Sequence, residues 1–121
     1  MKFRSKFEKN VYEHAQRHKR KLEYEPSSPV VRYITPSVYV PDFRLPNGVL
    51  VECKGYLSPR DRRKMLQVKR DNKDLDIRFV FQRANNRLTK SPNSMMYWQW
   101  AEKHGFMYSE ESIPEEWYNN E

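Results

Sequence analysis

Glycine is scarce in this chain, with three residues in 121. So few cannot build the backbone cradles that hold nucleotide phosphates, and neither GxGxxG nor GxxxxGK occurs. Cysteine is rarer still. Cys53 alone excludes an internal disulfide and a cysteine-based zinc cluster. Three histidines leave too few ligands for a zinc site to be attractive. No apolar run approaches the about 18 residues that a membrane helix needs, and the opening string MKFRSKFEKN lacks the apolar centre of a secretory leader. No repeat period is present. These absences lead to the expectation of a protein with no membrane partner, in a reducing cytoplasm. Aliphatic residues are thin as well. Leu, Ile, Val and Phe total 25, little above the level at which chains stay disordered. Against that stand 17 aromatic residues, each able to bury a large area. The length suits one domain, with a small core that a partner chain could complete.

Charge is abundant and unevenly placed. The net charge is +7 and the isoelectric point about 9.6. Residues 1–32 carry +5 and residues 54–90 carry +8, whereas 33–53 carry −1 and 91–121 carry −5. Two basic blocks around a slightly acidic centre form a layout suited to a polyanion, and nucleic acid is favoured over a merely solvated basic face.

Phe7, Val11, Ala15, His18 and Leu22 recur at helical spacing, which predicts a helix over about 5–22. Ser5 with Glu8 three residues on fits a capping box at its start. EPSSP at 25–29 breaks it. Three β-rich runs follow at 30–35, 38–45 and 49–54. Ser58-Pro59-Arg60-Asp61 opens a second helix to about Asn72, with serine at the cap and Asp61 at the positive end of the dipole. Residues 77–81 read as a buried strand, 94–104 as a third helix stopped by Gly105, 106–108 as a strand and 114–118 as a last helical turn. The order predicts an α/β fold with a mixed central sheet flanked by helices. His14, His18 and His104 are read as packing and capping residues. Tyr97, Trp98 and Trp100, beside Met95 and Met96, are read as core rather than as base-stacking platforms.

Pro46-Asn47-Gly48 joins the second and third strands as a three-residue hairpin loop. In that register Leu45 faces Val49 and Asp42 lies opposite Glu52. Lys54, two residues on, shares the face of Glu52. Val49, Val51 and Cys53 point the other way, toward a core. Opposed carboxylates repel, and a cation between them removes the conflict. Carboxylate oxygens without imidazole or thiolate suit Mg2+, with Mn2+ able to substitute. The competing reading is an exposed face with an Asp–Lys–Glu ion pair of little energetic weight. Three features favour chemistry: Pro41 weakens strand pairing beside Asp42 and suggests a bulge or bend that re-aims the side chain, the trio falls in a net-acidic segment between basic blocks, and its spacing puts all three groups on one face.

Pro41-Asp42 followed by Glu52-Cys53-Lys54 resembles the PD…(D/E)xK signature of restriction-endonuclease-like nucleases. The string YVPDFRLPNGVLVECKG at 39–55 resembles the bacteriophage endonuclease I family, as do FRS at 3–5, LEYE at 22–25, LDIRFVF at 75–81, EKHG at 102–105 and IPEEW at 113–117. This resemblance implies a PD-(D/E)xK core and Mg2+-dependent hydrolysis of branched DNA, including four-way (Holliday) junctions. Glu8, Asp42, Glu52 and Lys54 would be catalytic. Asp42, Glu52 and the backbone carbonyl of Cys53 would hold the metal, with Glu8 as a further candidate ligand. The resemblance also implies an intertwined homodimer in which Glu8 of one chain meets the hairpin of the other. Residues 1–121 then form one nuclease domain, with 1–25 as N-terminal helix, 26–38 as a connector able to bridge an exchanged dimer, and 39–121 as catalytic core. Candidate phosphate contacts are Lys2, Arg4, Lys6, Lys9, Arg60, Arg62, Arg63, Lys64, Lys69, Arg70, Arg83, Arg87 and Lys90. The remaining alternatives are a nuclease of this fold acting on nicked, mismatched or plain duplex DNA, a non-catalytic basic DNA-binding protein, and a protein directed at RNA.

Overall fold

The computed structural model describes residues 3–21, 23–24, 31–33 and 37–119. Lys2 and most of the 26–38 connector therefore lie outside the described residues. The first helix, α1, spans Lys6–Arg17, with Ser5 as its N-cap. It ends five residues before the predicted boundary. His18 closes it and Lys19 adopts a left-handed conformation at φ 57°. Arg20 N–H then donates to Ala15 and Lys19 N–H to Gln16, the two bonds of a Schellman end. A lysine in the place usually taken by glycine gives no warning in the sequence.

Among the described residues seven strands follow: β1 (Glu23–Tyr24), β2 (Val31–Tyr33), β3 (Ser37–Tyr39), β4 (Phe43–Arg44), β5 (Leu50–Lys54), β6 (Ile77–Phe81) and β7 (Met107–Glu110). The helix assigned to 1–25 thus gives way to a short strand at 23–24. The single strand expected over 38–45 is divided at Val40-Pro41-Asp42. The five-stranded sheet runs β1-β4-β5-β6-β7, and β2 with β3 forms a separate hairpin. β1, β4 and β5 pair antiparallel, and β5, β6 and β7 parallel. Helix α2 (Pro59–Asp71) links β5 to β6. Helix α3 (Tyr97–Lys103) links β6 to β7 and starts later than expected. The chain before α3 instead folds back on itself, with Arg87 bridging Met96. A 3-10 turn, Glu115–Tyr118, comes last.

The sheet separates two apolar clusters. Leu50, Phe79 and Phe81 pack toward α2 and α3 with Met65, Val68, Tyr97, Trp100 and Phe106. Val49, Val51, Cys53 and Val80 pack on the opposite face with Val11, Ile113 and Trp117. Full burial of side chains such as Phe79 or Val51 stabilises by about 1.5–3 kcal/mol each, and the rings interlock, Phe79 lying edge-on to both Trp100 and Phe106. The core reading of Tyr97 and Trp100 holds. Gly105, at φ 77°, ends α3 and turns the chain into β7.

The hairpin has the predicted register. Phe43 pairs with Val51 and Arg44 with Leu50. Leu45 N–H donates to the Val49 carbonyl at 2.9 Å, and Gly48 takes the left-handed turn position at φ 95°. Asn47 anchors the loop, its amide donating to the carbonyls of Trp117 and Asn119. The hairpin that carries the candidate site is therefore tied to the sheet on one side and to the C-terminal turn on the other.

Candidate active site

Glu8, Asp42 and Glu52 are the buried charged residues among those described, at 8%, 9% and 5% exposure. Burying an acid is costly unless something answers its charge, and here Asp42 feels the charges of both Glu52 and Glu8.

Asp42 reaches the site because the strand stops before it. The pairing that bonds Leu45 to Val49 and Phe43 to Val51 would next join Pro41 to Cys53. Proline has no N–H to offer the Cys53 carbonyl. The chain bends, and Asp42 Oδ2 accepts the Cys53 N–H at 2.8 Å. The expected bend thus replaces a ladder bond with a side-chain bond that fixes the carboxylate. Glu52 and Lys54 lie at the C-terminal end of β5, on the α2 side. Tyr39 Oη donates to Glu52 Oε1 at 2.7 Å, leaving Oε2 toward Lys54 Nζ at 4.0 Å. Lys54 Nζ lies closer to Asp61 Oδ1, at 3.4 Å. Lys64 stands 5.7 Å above the Tyr39 ring.

Glu8 projects from the first turn of α1. Its backbone N–H donates to Ser5 Oγ at 3.1 Å, and the Ser5 hydroxyl donates to Glu8 Oε2 at 3.3 Å. Ser5 thus caps the helix through the Glu8 N–H, and the Glu8 carboxylate acts on Asp42 through its charge. Cys53 turns its thiol into the core. Burial first, then Asp42, Glu52 and Glu8, push that thiol well above its ordinary range, which disfavours the thiolate that a nucleophile needs.

The donor set fits a hard divalent cation. Among the described residues no three His, Cys, Asp or Glu side chains form a ready-made cage. Glu8 is thus not assembled with Asp42 and Glu52 as a third ligand. Mg2+ characteristically takes one or two carboxylates and completes its shell with water and substrate phosphate, and a fixed Asp42–Glu52 pair beside the Cys53 carbonyl meets that requirement.

The charges confirm that the pair is ill at ease alone. Burial, then Glu52 and Glu8, raise Asp42 from 3.8 to about 8, and the Cys53 N–H only partly opposes them. Burial also raises Glu52, while Lys54, the Tyr39 hydroxyl and Lys64 pull it back. Burial disfavours the Lys54 ammonium, yet Glu52, Asp61 and Asp42 outweigh it and raise its pKa. The sign for stability follows. The metal-free fold keeps a proton that the unfolded chain releases, so its stability is full below about pH 4 on this account and falls as pH rises toward about 8. The slope from Asp42 is at most about 1.4 kcal/mol per pH unit. In thermal melts with chelator, Asp42→Asn should remove this component of the pH dependence. Mg2+ or Mn2+ should raise the melting temperature more at pH 8 than at pH 5. Equal stabilisation at both values would show that no proton is displaced from the pair.

The basic residues divide into several groups. Lys6, Lys9, Arg60, Arg63, Arg70, Arg83 and Lys90 expose their side chains, as does Arg4 ahead of α1. Arg62 donates to the Leu57 carbonyl at 3.0 Å, Lys69 to Gly105 at 3.2 Å and Arg87 to Ser94 at 2.7 Å. Those three brace loops of the fold. Lys64 belongs with the buried site rather than with the outer surface. Tyr39 and Asp61 are the site residues that the sequence reading missed. Tyr39 needs the bend at Pro41 to return over Glu52, and in sequence the place of Asp61 at the start of α2 points only to the helix dipole.

Comparison with known proteins bears on the whole chain. The family described as phage endonuclease I matches residues 1–121. Endonuclease I of Escherichia phage T7 is 40% identical over 119 residues, covering 95% of this chain and 77% of that protein. Endodeoxyribonuclease 1 of Enterobacteria phage T3 is 38% identical over 116 residues, covering 93% of this chain and 74% of that protein.

Proposed function

The chain belongs to the phage endonuclease I family, and on that premise we propose that it is a structure-selective DNA endonuclease that resolves four-way junctions and other branched DNA by Mg2+-dependent phosphodiester hydrolysis. The observation that carries the chemistry is the buried Asp42–Glu52 pair with Lys54 beside it. In this reading the hairpin and its surroundings are a PD-(D/E)xK core.

Asp42 and Glu52 would hold the cation, held in turn by Cys53 N–H and Tyr39 Oη. When bound, the ion supplies Lewis-acid polarisation of the scissile phosphate and charge for the departing oxygen. Lys54 offers its ammonium to the attacking water or to the negative charge that builds on the equatorial oxygens. Glu8, whose charge already acts on Asp42, adds a further carboxylate able to orient that water. The exposed cations of α1, α2 and the 83–90 loop bind flanking phosphates without reading sequence. A homodimer would present two such sites to the two strands that a junction requires to be cut.

A cleavage panel tests this reading. With Mg2+, a four-way junction should be cut at least tenfold faster than a linear duplex, with a flap between them. Chelator should stop all cutting and leave junction binding in place. Equal rates on every DNA would replace junction resolution by a general nuclease. Binding without any metal-dependent cutting would favour the non-catalytic DNA-binding protein, and preferential cutting of matched RNA would move the substrate class.

A further inference from the structure

Asp61 uses its two carboxylate oxygens for two different tasks. Oδ2 accepts the Ser58 N–H at 3.3 Å while Ser58 Oγ accepts the Asp61 N–H at 3.0 Å, closing the capping box of α2. Oδ1 is left facing Lys54 Nζ at 3.4 Å. The first task fixes the rotamer, and the fixed rotamer sets where Oδ1 stands. Lysine has a flexible four-carbon stem and a rotating point charge. Its ammonium here lies between two acids, 3.4 Å from Asp61 and 4.0 Å from Glu52.

We infer that Asp61 is the positioning residue for Lys54: it holds the ammonium off the Asp42–Glu52 pair, so that the carboxylates stay open to a cation and the ammonium stays aimed at the phosphate. This rests on the nuclease reading above, in which Lys54 is catalytic. Without the Asp61 charge, Glu52 is the nearest acid left to Lys54, and an ion pair there would occupy an oxygen that the cation needs. Misplacing a catalytic group by about 1 Å costs on the order of 100-fold.

Asp61→Asn separates the two tasks. The asparagine oxygen still accepts the Ser58 N–H, but its amide nitrogen presents a donor to a donor. The expected result is a 10- to 100-fold slower single-turnover cut of a four-way junction, with junction affinity within twofold. The Cε methylene of Lys54, followed by NMR relaxation in the metal-free protein, should become mobile. Ser58→Ala removes the other half of the capping box and serves as the structural control. It should lower the melting temperature, leave Lys54 ordered and cut at nearly the parent rate. Cutting by Asp61→Asn within twofold of the parent would overturn the inference. So would an equal loss of rate in Ser58→Ala, because helix capping would then explain both. If the unsubstituted chain cuts nothing with Mg2+, it is the nuclease reading that fails, and the inference falls with it.

Discussion

Glu52→Gln is expected to abolish cutting, by about 1000-fold or more, while four-way junction binding stays within threefold of the parent. The side chain is almost wholly enclosed, and the substitution changes neither its size nor its bond to Tyr39, since the amide oxygen accepts the hydroxyl as Oε1 does at 2.7 Å. What disappears is the charge that holds a cation and faces Lys54. Removing one preorganised electrostatic contact from an active site commonly costs 100- to 1000-fold, and losing a metal ligand removes several kcal/mol of transition-state stabilisation besides. Binding rests on different groups. Phosphate contacts from exposed cations dominate affinity for DNA, and removing a buried negative charge cannot weaken them. Stability should hold or rise, because burial already raises the Glu52 pKa and so penalises its charged form. Single-turnover cleavage, a binding titration and a thermal melt on the same preparation separate the three effects. Cutting within tenfold of the parent would remove Glu52 from the mechanism.

The hairpin was readable because its rules are local. Pro46-Asn47-Gly48 specifies the loop, the loop specifies the register, and the register brings Asp42 to Glu52. The alternation that sends Val51 and Cys53 inward on one face and Glu52 and Lys54 to the other is a property of any strand. What the sequence left hidden depends on atoms that meet only after folding. The end of α1 at Lys19 lacks a glycine, and β1 is two residues long with no period to detect. The bend at Pro41 was expected, but not that Asp42 would take the Cys53 N–H as its partner. Tyr39 and Asp61 lie in separate elements, and each reaches the trio by its own route: Tyr39 from the end of β3 through the bend at Pro41, and Asp61 from the first turn of α2. The S-x-x-D pattern at 58–61 did carry one usable signal. A capping box fixes the acid at its third position, and α2 starts five residues after the strand-end Lys54, with that acid 3.4 Å from the ammonium.

Mixing two inactive chains should restore activity. Glu8→Gln and Glu52→Gln, each alone, are expected to leave junctions uncut. A heterodimer purified with one chain of each kind is expected to regain about half of the parent nicking rate. The reasoning starts from α1, which docks on the sheet through Val11, Phe7 and Tyr12 and carries Glu8 to where its charge acts on Asp42. The same contacts form whether the helix comes from the same chain or from a partner, since an exchanged element keeps its interface. The two arrangements differ only in the route of the connector, which carries Pro26, Pro29 and Pro36. If the helices are exchanged, the intact hairpin of the Glu8→Gln chain receives the intact Glu8 of its partner, and the other site carries both lesions. One working site cuts one strand, so a supercoiled cruciform plasmid should become a nicked circle and stop short of the linear form. If each helix serves its own chain, both sites of the heterodimer carry a lesion and the plasmid stays supercoiled. Nicked circle therefore supports the exchanged homodimer, and persistent supercoiled plasmid overturns it without touching the chemistry assigned to Asp42, Glu52 and Lys54.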